Sequence, residues 1–336
     1  MTGLAREISK QAPRHADETS DFATKARAVR LWLVRNPFWF VGLVLIAVFA
    51  SKSQHFLTTF NFGDIGFQAA LSGFLAIGLT PVIISGNIDL TVGSVVALSA
   101  CLAVGLQGYG LVLAIMAALA AGAGIGLLNG VLVERLGISS FIVTLGGMIG
   151  VRGLAFLYAG DTSLASTDDR FADYIGWSYG PISVTIILFV LCAIGIGWML
   201  RYTRHGRNTY AIGGSRTASL EAGVPVSRHV IINFVISGLM AAICGVAMAA
   251  YLSAATPSYG TNYELWAVIS VVLGGTRLRG GTGGVTGTVI AIAVLAILQN
   301  GLNMTNVSPF YIPVIMGGAL IVALVIDRRA RGRAEE

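Results

Sequence analysis

Charge is what this sequence has least of. Only 11% of its 336 residues are Asp, Glu, Lys or Arg, against 55% apolar residues, whereas an ordinary soluble domain carries roughly 25% charged residues. A water-soluble globular class is therefore excluded. Missing too are the GxxxxGK[ST] phosphate loop, the GxSxG nucleophile elbow and the HExxH zinc helix. His15, His55, His205 and His229 do not group as metal ligands, so nothing points to catalysis by this chain. Cys101, Cys192 and Cys244 are scattered through apolar runs and provide neither a disulfide framework nor metal-ligand spacing.

What is present is apolar length. With a mean hydropathy of +0.78, stretches near the ~20 residues that cross a bilayer recur along most of the chain. Candidate spans lie at about 38–51, 66–86, 92–107, 111–133, 139–159, 183–200, 230–252, 264–275, 283–303 and 310–326. The expectation is an all-α polytopic membrane protein of about ten transmembrane helices. Residues 1–37 form a polar, basic tail before the transmembrane domain at 38–326, and 327–336 form a second tail. The first segment is too long and too polar for a signal peptide. Ten spans place both tails on one side, and they place Glu134-Arg135, Arg201, Arg204, Arg207, Arg216, Arg228, Arg277, Arg279 and Arg328 on that same side. Cytoplasmic loops are enriched in Lys and Arg. Topology thus explains the net charge of +6 better than nucleic acid does. Segment 264–275 is short, which leaves a full span and a re-entrant segment both open.

The octet Gly86-Asn87-Ile88-Asp89-Leu90-Thr91-Val92-Gly93 sets an amide, a carboxylate and glycines between two apolar runs. Non-helical backbone at bilayer depth persists only where protein or a water-filled cavity satisfies it, so the octet predicts a broken helix beside a polar path. Asp89 has two readings: a group in the path, or a carboxylate accepting from the free N–H groups of the helix that follows. Asn87, Thr91 and Ser94 either bind a hydroxylated solute or satisfy the broken backbone. Glu264, Asn300 and Asn303 are further polar groups at apolar edges, with interface location as their plain explanation.

A second glycine-rich run, Gly274 to Gly284, lacks the lysine of a phosphate cradle and reads as a tight turn between helices. Residues 92–97 resemble 286–291, and Asn129-Gly130 resembles Asn300-Gly301 on the opposite side, the pattern of an inverted repeat. Gly122, Gly126 and Gly130, and likewise Gly146 and Gly150, are spaced for close helix packing. Packing within the chain is the simpler reading of both sets. The basic stretch 201–229 ends in a short helix-capable run closed by Gly223 and Pro225, and suits either a charged connector or a docking piece.

Four ordered motifs then carry a likeness: Gly86 to Gly93, Phe141-Ile142-Val143-Thr144-Leu145-Gly146, Asn208-Thr209-Tyr210-Ala211-Ile212-Gly213-Gly214, and Val271-Val272-Leu273-Gly274-Gly275-Thr276. Together they resemble the ribose-type permease subunits of bacterial ATP-binding cassette importers, over about residues 60–327. The resemblance implies a bacterial inner-membrane permease for a monosaccharide or polyol, both termini cytoplasmic. It implies a second permease subunit as homodimer or heterodimer, a separate cassette ATPase that uses the ATP, a periplasmic sugar-binding protein, surrounding membrane lipid, no nucleic acid and no cofactor on this chain. It also places the ATPase-coupling segment at Arg207, Asn208, Ser219, Leu220, Glu221, Ala222 and Gly223. The sequence departs from the family at Asn87 (usually glycine), Thr91 (usually serine) and Trp266 (usually an acid after Glu264-Leu265). The competing functional classes are an ion-coupled carrier using Asp89 or Glu264, and a membrane scaffold or sensor.

Overall fold

The computed structural model describes residues 38–318 except 176, 306, 309, 310, 312 and 316. Both tails and most of the span expected at 310–326 lie outside the described residues. The chain is almost wholly helical: α1 (Phe38–Lys52), α2 (Thr59–Ile84), α3 (Val92–Gly105), α4 (Leu111–Arg135), α5 (Ser140–Ala159), α6 (Asp169–Ile175), α7 (Val184–Tyr202), α8 (Arg204–Gly214), α9 (Arg216–Glu221), α10 (Val226–Leu252), α11 (Tyr263–Leu273) and α12 (Val285–Met304). Among the described residues, α2, α4, α5, α7, α10 and α12 are long and apolar enough to cross a membrane, while α1, α3 and α11 are shorter apolar helices. Most expected boundaries agree within two residues. Two helices begin earlier than expected: α2 at Thr59 rather than 66, and α10 at Val226 rather than 230. In the first case Thr58 accepts from Asn61 N–H and starts the helix in a polar stretch that hydropathy passes over.

Among the described residues, strand structure is confined to one side. Leu164–Ala165 (β1) pairs antiparallel with Ala254–Ala255 (β4), tying the loop after α5 to the end of α10, while Ser178–Tyr179 (β2) and Ile182–Ser183 (β3) form a hairpin before α7. The arginines expected on the other side do gather there. Arg216 of α9 holds Glu134 at the end of α4 through two 2.8 Å bonds, and Tyr210 of α8 donates to Gly283 O at 2.9 Å. This end is called the arginine side below.

At the centre lie α2 and α10, with Phe74, Leu75, Ile77 and Ile83 meeting Phe234, Ala241 and Cys244 in one buried cluster with Val95 and Val96 of α3. Helices α4, α5 and α7 line the outside and expose Leu127, Ile149, Leu157 and Trp198, as lipid-facing surfaces do. The two glycine sets behave differently. Side chains at Gly122, Gly126 and Gly130 would strike Gly238, Phe234 and Ile231 of α10, so these glycines let α4 and α10 touch backbone to backbone. Gly146 and Gly150 have open space where a Cβ would sit, and intramolecular packing does not account for them.

Candidate functional site

Helix α2 ends at Ile84, three residues beyond an internal Pro81 that cannot donate to the helix ladder. The chain then runs without helix until Val92. Every polar group in this first break that the sequence singles out has a partner. Thr91 donates twice to Asp89 Oδ1, from its N–H at 3.0 Å and its hydroxyl at 2.5 Å. The Ser237 hydroxyl of α10 donates to Asp89 Oδ2 at 2.8 Å. Asn129 of α4 donates to Thr91 Oγ1 at 3.0 Å, and Ser94 Oγ to Thr91 O at 2.8 Å. From α5, Ser140 Oγ accepts from Ile88 N–H (3.2 Å) and Thr144 Oγ1 donates to Ile88 O (3.4 Å). Asp89 is fully buried. Through Thr91, the residue just before α3, it ties the start of that helix to α10, while the Asn87 side chain is half-buried and bonds only back to Ser85.

The second break is built from different material. Helix α11 follows β4, on the side away from the arginines, and its 11 residues rise about 16 Å, half of a ~30 Å hydrocarbon layer. The glycine-rich run from Gly274 then reverses the chain on the arginine side: Gly274 packs against Gly287, Arg277 N–H donates to Thr282 O, Gly284 N–H donates to Thr276 Oγ1, and Gly281 N–H at the tip donates to Ile84 O at 2.9 Å. The run is thus a tight turn between α11 and α12, as expected. Within 264–275 the helix ends at Leu273. Glu264, in the first turn of α11, is buried with Oε2 unpartnered among the described residues. Its carboxylate lies against Gly93, where a side chain would collide with it, so Glu264 and the octet are neighbours.

The remaining path candidates separate from the breaks. Asn300 donates to Asn61 Oδ1 at 2.9 Å, and Asn61 donates to Phe56 O at 2.8 Å, fastening α12 to the loop before α2. Asn303 is exposed near the end of α12. Both fit the interface explanation. Helices α3 and α12 each run from the arginine side to the opposite one, so the echo between 92–97 and 286–291 relates parallel rather than inverted segments.

On the arginine side the two breaks meet the basic stretch. Gly213, near the end of α8, packs so tightly that any side chain would strike Ile84 O and Gly281 N, and a side chain at Gly280 would meet Gly86 N and Ile84 O. Three glycine-bearing segments, distant in sequence, form one backbone junction. Beyond it α9 projects outward. Ser215 caps it by accepting from Ala218 N–H at 3.2 Å, Ser219 is buried and donates to Ser215 O, and Gly223 turns the chain with a φ of 76° that suits glycine. Leu220 is 55% exposed, Glu221 and Ala222 are exposed beside it, and Arg207 is exposed on α8.

Asn208 turns inward instead, into a chain of bonds that no sequence pattern disclosed. Asn208 Nδ2 donates to His229 Nε2 (2.9 Å), His229 Nδ1 meets His205 Nδ1 (2.7 Å), and His205 Nε2 meets Asn233 Oδ1 (2.8 Å). Asn233 Nδ2 donates onward to Pro81 O at 3.2 Å. The carbonyl and amide ends fix the protons: His205 is neutral with its hydrogen on Nε2, and His229 donates from Nδ1. Burial lowers the pKa of His205, partly offset by its bond to Asn233. Helix α8 is thereby hydrogen-bonded to α10 and to the last turn of α2. The spacing of Arg204 to Gly223 gave no sign of this, since the partners lie 21 to 152 residues apart.

Among proteins of known role, residues 61–324 match the family described as "Branched-chain amino acid transport system / permease component". The chain is 36% identical to the ribose import permease protein RbsC of Escherichia coli strain K12 over 307 residues, covering 89% of this chain and 95% of that protein. It is 35% identical to the L-arabinose ABC transporter permease protein AraH of Azospirillum brasilense over 301 residues, 89% of each. It is 32% identical to the D-allose transport system permease protein AlsC of E. coli K12 over 294 residues, 86% of this chain and 90% of that protein. No solved structure matches.

Proposed function

The chain belongs to the branched-chain amino acid transport system / permease component family, and from that membership we propose that it is the multi-pass inner-membrane permease of an ATP-driven importer for a monosaccharide or related polyol. Its relatives in that family are sugar import permeases. An ion-coupled carrier is not favoured: Asp89, the deepest carboxylate, spends both oxygens on fixed donors within the fold.

The observation that carries the mechanism is the projecting helix α9 with Leu220 exposed at its tip, anchored behind by the Arg216–Glu134 pair. A small apolar knob rimmed by polar residues suits a cleft on a soluble partner. We assign that partner as the cassette ATPase, with Ser219, Leu220, Glu221, Ala222 and Gly223 as the contact and the arginine side as cytoplasmic. Nucleotide-driven motion of α9 would pass through α8 to the junction of Gly213, Ile84 and Gly281, where the first break begins and the glycine turn sits. Rigid-body rocking of such elements is how alternating access proceeds in other transporters with broken helices. A periplasmic sugar-binding protein would deliver solute to the opposite side, and a second permease subunit would complete the path. No cofactor on this chain enters the scheme.

The test is reconstitution in liposomes with its ATPase and binding protein. Sugar uptake is expected to need ATP and both partners and to be indifferent to a proton uncoupler; uptake by this chain alone, abolished by the uncoupler, would overturn the reading. Replacing Glu221 and Gly223 together by arginine should leave the permease folded while uptake falls at least roughly tenfold, a loss of about 1.4 kcal/mol in coupling. Unchanged ATPase binding and uptake in that variant would remove α9 from the contact.

A further inference from the structure

Between α2, α11 and α12, in the half of the layer away from the arginine side, a cavity of about 80 Å³ is lined by Gln68, Leu71, Ser72, Tyr263, Trp266 and Gln299. Its position follows from the chain path. Tyr263 and Trp266 stand in the first turn of α11, Gln68 is in the outer portion of α2, and Gln299 is near the far end of α12. Leu71 alone contributes aliphatic lining. The other five residues are two aromatic rings, two carboxamides and a hydroxyl, and none carries a charge.

That combination is unusual for a wall between membrane helices. A carboxamide offers two donors and an acceptor, and burying one among apolar helices is unfavourable unless its atoms are bonded. Gln68 Oε1 is buried without a hydrogen-bond partner among the described residues. The Ser72 hydroxyl, one turn away, donates back to Gln68 O and Ala69 O of its own helix and so does not supply the missing bond. Tyr263 and Trp266, three residues apart on α11, bring their apolar ring surface to the same cavity from the other side.

We propose that this cavity is a binding subsite for a neutral polyhydroxylated ring, a single sugar, held as it enters the membrane from the far side. The class follows from the lining. Carboxamides donate to and accept from hydroxyl groups without attracting charge, and the aromatic faces cover the C–H surface of such a ring, as apolar walls with a few placed polar groups do in small-molecule sites. The Gln68 oxygen gains the donor it lacks from one hydroxyl. The absence of a basic side chain from the lining disfavours an anionic sugar phosphate, which would be desolvated there without a counter-charge. The cavity, smaller than a whole monosaccharide, takes one edge of the ring and not a chain of them. Glu264 neighbours Tyr263 on α11 but turns toward Gly93, so the subsite lies beside the octet and is separated from it by the α11 backbone. This rests on the sugar-import reading and adds to it the place where this chain itself touches the solute.

The experiment uses the complete transporter in liposomes with D-ribose, L-arabinose and D-allose as probes and ribose 5-phosphate as the charged control. Gln68→Leu and Trp266→Ala are expected to lower sugar uptake per ATP hydrolysed about tenfold, to change the ranking of the three sugars, and to leave binding-protein-stimulated ATP hydrolysis intact. Trp266→Tyr should restore part of the uptake. Leu265→Ala, on the exposed face of the same helix, should behave as the parent. Uptake per ATP and sugar ranking unchanged in both Gln68→Leu and Trp266→Ala would overturn the subsite. If the parent imports none of the three sugars, the import reading fails, and the subsite is then judged by Trp266 fluorescence alone, as the difference between the parent and Trp266→Phe. A saturable response to the neutral sugars and none to ribose 5-phosphate supports it; no response to the sugars, or an equal response to the phosphate, overturns it.

Discussion

The two breaks in the helical layer solve the same problem with opposite materials. At 85–91 the irregular backbone is held by side chains from three neighbouring helices, and its buried Asp89 accepts three hydrogen bonds. At 274–284 the irregular backbone is mostly glycine resting on other backbone, and the buried acid beside it, Glu264, keeps one oxygen without a partner. The first break is a clamp whose parts cannot shift without losing bonds. The second is a glycine turn held by close fit and by backbone bonds, with Tyr210 and Thr276 as its side-chain ties, so it has fewer side-chain bonds to lose when it slides. Alternating access needs both a fixed element and a yielding one, and the difference suggests which is which.

The sharpest way to break this contrast is to replace the two acids. Asp89→Leu strands the Ser237 hydroxyl and the Thr91 N–H in a buried apolar setting, at a cost of about 3 kcal/mol or more. That is a large part of the ~5–15 kcal/mol that keeps a domain folded. Asp89→Asn keeps one acceptor for Thr91 and lets Ser237 turn its hydroxyl, so its cost is expected near 1 kcal/mol. Glu264→Gln loses no bond at Oε2 and should shift stability by less than about 1 kcal/mol. Thermal unfolding of the detergent-solubilised protein ranks the three variants. A Glu264→Gln loss equal to that of Asp89→Leu would end the distinction between clamp and slide.

A smaller effect separates α9, proposed above to dock the ATPase, from the membrane core. Arg216 is half exposed, but the Glu134 side chain it grips is only 1% exposed, and Arg216 binds it through both nitrogens. Arg216→Ala leaves that carboxylate buried without its partner. Because solvent screens the arginine, the expected loss is about 1 kcal/mol, confined to the seating of α9. Co-purification of the ATPase should weaken well before the unfolding temperature moves, and adding Glu134→Gln should recover much of it. Equal losses of docking in the single and double variants would show that the pair does not position α9.

Much of this was legible in the sequence because lipid writes a strong signal. Runs such as 111–133 and 184–200 are apolar on every side, and their ends fall where hydropathy says. The octet also announced itself, since a carboxylate between apolar runs has few explanations, and Asp89 is bonded to Thr91 just before α3 and to Ser237 of α10. What stayed hidden depends on contacts between segments far apart. Ser237 and Asn129 are single polar residues within long apolar helices, and nothing local ties them to Asp89 and Thr91, which lie 148 and 38 residues away. Gly213 meeting Gly281 is invisible for the same reason. Asn300 and Asn303 could be read either way from their types, and contacts decide what each does in the fold: the first ties α12 to Asn61 and the second is exposed.

The smallest effect concerns pH, and it tests whether the fixed element extends into the coupling stretch. In the chain Asn208–His229–His205–Asn233, only one hydrogen lies between the two facing Nδ1 atoms. Protonating His205 puts a second one there, so the pair repels. Burial has already lowered the pKa of His205 below the ordinary 6.5. The sign follows from proton counting: between 6.5 and the lowered value the unfolded chain binds more protons than the folded one, so stability falls as pH drops through that window. The bonding is fully present above pH 6.5. Docking of the ATPase, followed as ATP-dependent uptake between pH 7.5 and 5.5, should decline on the acid side with the loss reversible on return to neutral pH. His205→Gln, which retains a donor toward Asn233 but cannot titrate, should flatten the profile while preserving uptake at pH 7.5. A variant profile as steep as the parent's would place the titrating group elsewhere, and α8 would then be joined to α2 by the glycine junction rather than by the histidines.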